Sequence, residues 1–209
     1  MLIKSYLFLF LLSSFCITYS QSVRNDEFGK PTQHEFDLNS YEAEPEASGV
    51  ILYESGNYYA IPLKRTTSAK LVKEIHRKIK VLDAKKFDYA TVEIPYYDTE
   101  GYYGEEIKDY KAVTHNGAVQ NFVPDGSFYK TKKSGVGNVL KFTFPNVKNG
   151  SILEYSYTII TPYFYDLDGW EFQHAVPTIY SKFKTELPFH YRYNRALYGE
   201  KKLSMKKRT

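Results

Sequence analysis

After residue 48 the chain sustains no helical period of 3.6 residues. In its place come short apolar or alternating segments, spaced 8 to 12 residues apart with turn chemistry between them. Residues 71–82 show the pattern most plainly, with Leu71, Ile75, Ile79 and Val81 on one face and Glu74, His76, Lys78 and Lys80 on the other. A period of two with charges opposite apolar residues predicts a strand packed on one side only. Aromatic residues make up 17% of the chain, with 21 tyrosines and 14 phenylalanines, and these types favour half-buried pleated surfaces. The expected fold is all-β, an antiparallel two-sheet sandwich with a short N-terminal helix.

The turns divide the rest. Val50-Ile51-Leu52-Tyr53, Gly56-Asn57 and Tyr58-Tyr59-Ala60-Ile61 read as a hairpin. Residues 89–95 and 107–114 read as strands, with the aromatic and acidic loop 96–106 between them. Asn116-Gly117 predicts a second hairpin, because both residues tolerate positive φ. Asn149-Gly150 is expected to join strand 139–144 to the long strand 152–160, and Asp168-Gly169 to turn the chain into Trp170-Glu171-Phe172. Residues 178–187 form the last expected strand, and no internal repeat of 20 to 50 residues is present.

The N-terminus has a different character. One positive charge at Lys4 precedes an apolar run over residues 6–12, and the segment closes on Thr18-Tyr19-Ser20. A run this short does not span a bilayer, and the small-x-small ending predicts a signal peptide over residues 1–20, cut after Ser20. The chain is therefore expected to be exported, to the periplasm, cell envelope or extracellular space, with no membrane span in the mature part. Cys16, the one cysteine, lies inside this leader, so residues 21–209 offer no disulfide, thiolate ligand or cysteine nucleophile. Residues 21–47 read as a polar arm, in which Thr32-Gln33-His34-Glu35 has capping-box spacing for a helix over about 33–40. Residues 48–195 form the sandwich and 196–209 a basic tail, expected to be a truncated continuation. Charge is uneven: residues 21–60 carry a balance of −6 and residues 182–209 one of +7. A terminal basic run on an exported chain reads as a solvated end, so no nucleic-acid partner is expected.

Candidate chemistry is sparse. The histidines His34, His76, His115, His174 and His190 show no H-x-H or H-x-x-x-H spacing, so neither a metal nor another cofactor is expected. Glu154 is the most interesting acid because it lies within a long strand; a lysine or tyrosine across the sheet accounts for it, and carboxylate-based hydrolysis is the rival reading. The Asn149-Gly150-Ser151 sequon is explained by its turn, and the oxygen-rich segments 98–106 and 166–169 by loop formation. What remains is aromatic: Tyr58-Tyr59, Tyr96-Tyr97, Tyr102-Tyr103, and Tyr163-Phe164-Tyr165 leading to Trp170. Adjacent strand residues point to opposite faces, so one ring of each pair faces out. Tyr96, Tyr97, Tyr102, Tyr103, Tyr163, Tyr165 and Trp170 are the candidate binding residues, suited to a protein partner or a sugar face.

One long stretch resembles a known family. Phe144-Pro145-Asn146-Val147-Lys148-Asn149-Gly150-Ser151-Ile152-Leu153-Glu154-Tyr155-Ser156-Tyr157, followed by Trp170-Glu171-Phe172-Gln173, Pro177, Ser181 and Pro188, resembles the P-x-V-x-x-G-S-x-x-E-Y-x-Y and W-x-F-Q-x-x-x-P marks of the DUF3857 domain, a domain of unknown function. Residues 50–56, 76–82 and 94–96 are similar to its upstream segments, and the resemblance covers about residues 45–195. It implies an exported β-sandwich common in Bacteroidetes, usually standing before a transglutaminase-like domain that holds the cysteine, histidine and aspartate of any acyl chemistry. No catalytic residue carries over to this chain. The expectation is a non-catalytic accessory or interaction module that packs against, or presents substrate to, such a domain or an envelope protein; a carbohydrate-binding module using exposed tyrosines is the alternative, with a glycan as partner.

Overall fold

Thr32 opens the only α-helix among the described residues, and the capping box forms as its spacing requires. The Thr32 side chain accepts from the Glu35 amide at 3.3 Å, and Glu35 Oε2 accepts from the Thr32 amide at 2.6 Å. This helix, α1, spans Gln33–Asp37, shorter than the spacing suggested. The computed structural model describes residues 25–63, 69–97, 104–134, 137–163, 167–187, 196 and 198. The leader, Tyr102, Tyr103, Tyr165, His190 and most of the basic tail lie outside them. No helix among the described residues is long and apolar enough to cross a membrane.

Nine strands follow among the described residues: β1 (Gly49–Pro62), β2 (Ala69–Val81), β3 (Thr91–Tyr96), β4 (Glu106–Asn116), β5 (Val119–Phe122), β6 (Tyr129–Lys133), β7 (Gly137–Thr143), β8 (Ile152–Thr161) and β9 (Ser181–Glu186). They form a six-stranded sheet, ordered β5-β4-β8-β2-β1-β9, and a three-stranded sheet, ordered β3-β7-β6. The fold is all-β with two sheets, as the sequence predicts. One core joins the sheets: Ile51, Ile79, Leu153 and Tyr155 of the larger meet Ile94, Leu140 and Phe142 of the smaller, with Phe144 beside them. Pairing is antiparallel except for β9, which runs parallel to β1 with Glu54 opposite Ser181. The antiparallel expectation therefore fails at that edge.

Three more sequence expectations are corrected. Gly56-Asn57 does not turn; β1 runs straight through it, paired to β2 from Gly49 to Pro62. A glycine is needed there for space, since a Cβ would come within 2.5 Å of Trp170 Cζ3. Asn149-Gly150 turns the chain between β7 and β8 as expected, with Gly150 at φ 86°, and the two strands lie in different sheets. Trp170-Glu171-Phe172 is not a strand. The hairpin at Asn116-Gly117 forms between β4 and β5, with its loop on Gly117 and Ala118 because Asn116 pairs with Val119. Strand β6 was unanticipated; every residue of it is exposed, so it lacks the apolar alternation that marks a strand.

The fourth correction concerns β2 and locates the site. Its even-numbered face was expected to meet water, yet Lys78 is 0% and Lys80 1% exposed. The arm lies across this part of the face, so β2 is covered on both sides at Lys78 and Lys80, while Glu74 further along stays exposed.

Candidate functional site

Register places the polar residues in rows. Lys78 stands opposite Glu154 on β8, which stands opposite Val113 on β4; one row along, Lys80, Ile152 and His115 align, and in the other direction His76, Ser156 and Lys111. Directly opposed residues in antiparallel strands point to the same face. Three strands thus bring His76, His115 and Glu154 together from positions 39 residues apart.

Glu154 is fully buried and accepts three hydrogen bonds. His76 Nε2 donates to Oε1 at 2.7 Å, His115 Nε2 to Oε2 at 2.8 Å, and the Gly29 amide to Oε2 at 2.9 Å. Burial alone pushes the carboxyl up, but the bonds from His115, His76 and Gly29 outweigh it and hold the pKa at about 2. The group is a permanent anion at neutral pH, with the Nε2 of both histidines spent on it. Among the described residues no cluster of three or more His, Cys, Asp or Glu has the arrangement to hold a metal ion. The expected lysine or tyrosine partner is replaced by two histidines; Lys78, the cross-strand neighbour, turns instead to the arm.

The arm supplies the complementary groups. Lys78 Nζ donates to the Asn25 carbonyl at 3.0 Å and to Glu35 Oε1 at 3.1 Å. Lys80 Nζ donates to the carbonyls of Phe36 at 2.7 Å and Gly150 at 2.9 Å. Burial pushes the Lys80 pKa down, partly offset by Asp37. The Gly29 carbonyl takes a bond from Gln120 Nε2 at 2.8 Å, Phe28 lies against the His76 ring, and Lys111 sits 4.1 Å over the Phe28 ring. A buried lysine is tolerated only when its charge finds acceptors, and here the arm backbone and Glu35 provide them.

A second buried constellation lies on the core face, at the β9 edge. Glu54 is 0% exposed and is met by Arg77 at 2.8 Å, by His174 Nε2 at 2.9 Å and by the Ser181 hydroxyl at 2.7 Å. Burial raises its pKa, but the His174 bond, the Arg77 charge and the Ser181 bond together leave it lowered. Ser181 in turn accepts from Trp170 Nε1 at 2.9 Å. Because the Ser181 hydroxyl donates to a carboxylate and not to an imidazole, this is not a nucleophile-and-base arrangement. The sequence held one signal for it: Arg77 falls in the apolar phase of β2, where a half-buried charge needs a partner.

The aromatic candidates separate. Tyr58 and Tyr96 are buried at 5% each, while Tyr97 is 56% exposed and Tyr59 half-buried, so in these two pairs one ring does face out. Tyr96 is thereby removed from the binding set. Trp170 stacks on Phe183 with centroids 5.4 Å apart and closes a small apolar cluster with Tyr58, Leu71 and Ile75, so it is packing, not a contact surface. Tyr163 is half-buried. Tyr59, half-exposed on the sheet face beyond the arm, donates to Glu74 at 2.9 Å, and Asn57 donates to the same carboxylate at 2.9 Å.

No family model matches the chain, and no curated protein matches it. Among solved structures, one from Parabacteroides distasonis, described provisionally as a protease, superposes with a TM-score of 0.54 at 12% identity. The match covers 68% of this chain and 29% of that one, so the chain spans less than a third of its length. At that identity the likeness concerns the fold.

Proposed function

We propose that this chain is an exported, non-catalytic β-sandwich module of the DUF3857 type, which packs against or presents substrate to a transglutaminase-like domain or an envelope partner. One observation carries the reading: the two acids best placed for chemistry, Glu154 and Glu54, are fully buried and each is held by three neighbouring groups, so both serve cohesion. The shared fold with part of a longer protein fits a module of this kind. Exposed Tyr97 remains as a rigid contact residue.

The test is to read the gene beyond codon 209, express any domain found there, and titrate it against residues 21–209 by calorimetry. Saturable binding that weakens in Tyr97→Ala with an unchanged circular dichroism spectrum is expected. No binding, or turnover by residues 21–209 alone on peptide, ester or glycoside substrates that Glu154→Gln abolishes, would overturn the proposal. The carbohydrate-binding alternative is favoured by the half-exposed Tyr59, Asn57 and Glu74 group. It predicts saturable polysaccharide binding that Tyr59→Ala removes.

A further inference from the structure

The two sheets have four edges, and three are guarded. Strand β3 carries Glu93 and Pro95, β6 carries Lys130, Lys132 and Lys133, and β9 carries Lys182, Lys184 and Glu186. Charge and proline on an edge discourage pairing with another chain. Strand β5, Val119-Gln120-Asn121-Phe122, has neither. It borders β4 on one side and no strand on the other among the described residues. Its two apolar side chains lie on opposite faces and are both more than half exposed, Val119 at 59% and Phe122 at 54%. The strand is firmly placed: Asn121 accepts from Asn146 at 2.9 Å, and Gln120 holds the arm at Gly29.

The direction of its backbone groups follows from the ladder. The Val123 amide donates inward to the Ala112 carbonyl. Inward and outward groups alternate along a strand, so those of Asn121 and Val119 also face β4, and those of Gln120 and Phe122 face outward. We propose that β5 pairs antiparallel with β5 of a second copy of this chain, across a two-fold axis normal to the sheet. Such an axis keeps the faces aligned, so opposed residues must sum to an even number. The register with Asn121 opposite Asn121 sets Gln120 against Phe122 twice, and each of these two pairs exchanges two backbone hydrogen bonds. Val119 then meets Val123 of the other copy, and Phe122 covers the Gln120 stem. No charge opposes a like charge anywhere along the seam. Joining the copies makes one twelve-stranded sheet from the two six-stranded ones. A seam of this length buries less than the roughly 1,200 Å² of a stable interface, so the dimer is weak and concentration-dependent. This inference is independent of the accessory-module reading.

Sedimentation of residues 21–209 at 0.15 M salt from about 1 to 300 μM reads it directly. A monomer–dimer equilibrium is expected. Asn121→Lys places two ammonium groups face to face and should raise the dissociation constant at least about tenfold, as should Asn121→Asp with two carboxylates. Circular dichroism of each variant verifies the fold. Mixing the two variants in equal amounts sets lysine against aspartate and should restore association. A monomer at every concentration, a dimer that Asn121→Lys leaves unchanged, or variants that fail to associate on mixing would each overturn the proposal.

Discussion

Replacing Glu154 with Gln isolates the most perturbed carboxylate among the described residues. The carboxyl ordinarily titrates near 4.5 and in the folded chain near 2. Each pH unit between those values is worth about 1.4 kcal/mol, so ionised Glu154 contributes about 3 kcal/mol of stability at pH 7. Its folded pKa is depressed, so the contribution is complete above pH 4.5 and is lost as pH falls toward 2. About 2 kcal/mol of it is gone by pH 3. Gln keeps the shape but not the charge, and its amide group meets an imidazole N–H that has lost its acceptor. At pH 7 the variant should be less stable by about 2–4 kcal/mol. The measurement is urea unfolding of both proteins at several pH values between 7 and 3. The gap between them should close by about 2 kcal/mol over that range, because only wild type loses the Glu154 contribution. Parallel stability curves would refute the reasoning, since the carboxylate would then titrate alike in the folded and unfolded chains.

Other consequences are as definite. Gly56→Ala drives a methyl into Trp170 and should destabilise by about 1–3 kcal/mol, with a shift in the emission of the single tryptophan; Gly169→Ala, in open space, should do neither. Glu54→Gln leaves Arg77 short of its counter-charge and should cost about 3 kcal/mol by urea unfolding at pH 7. Lys78→Met removes the donor to Asn25 and Glu35, so limited proteolysis should cut within residues 25–40 faster than in wild type while the sheets stay intact.

The fold class was legible because it rests on patterns that survive without tertiary context: alternation, turn residues and the capping box at Thr32. The seam was not. Alternating charge in β2 looks the same whether the charged face meets water or a covering segment, because period two records only that the faces differ. What distinguishes the cases is the arm, which touches the sheet through Asn25, Gly29, Glu35 and Phe36, three of them by backbone carbonyls that any residue supplies. His76 and His115 meet at Glu154 through strand register, which spacing along one chain does not encode. One signal was present in β8: Ile152 and Leu153, on opposite faces, are both apolar, so the strand is covered on both sides and the acid beside them is buried. Gly56 misled because a glycine before an asparagine signals a turn as well as it signals a ring packed against a strand.

The central claim is that the polar face of the larger sheet around Lys78, Lys80 and Glu154 is buried beneath the N-terminal arm. Lysine acetylation of the native protein, read residue by residue by mass spectrometry, tests it most directly. Lys78 and Lys80, with their ammonium groups on carbonyls and Glu35, should stay unmodified while Lys130, Lys132 and Lys133 on exposed β6 react quickly. Equal labelling of all five would contradict the account and return β2 to a strand packed on one side.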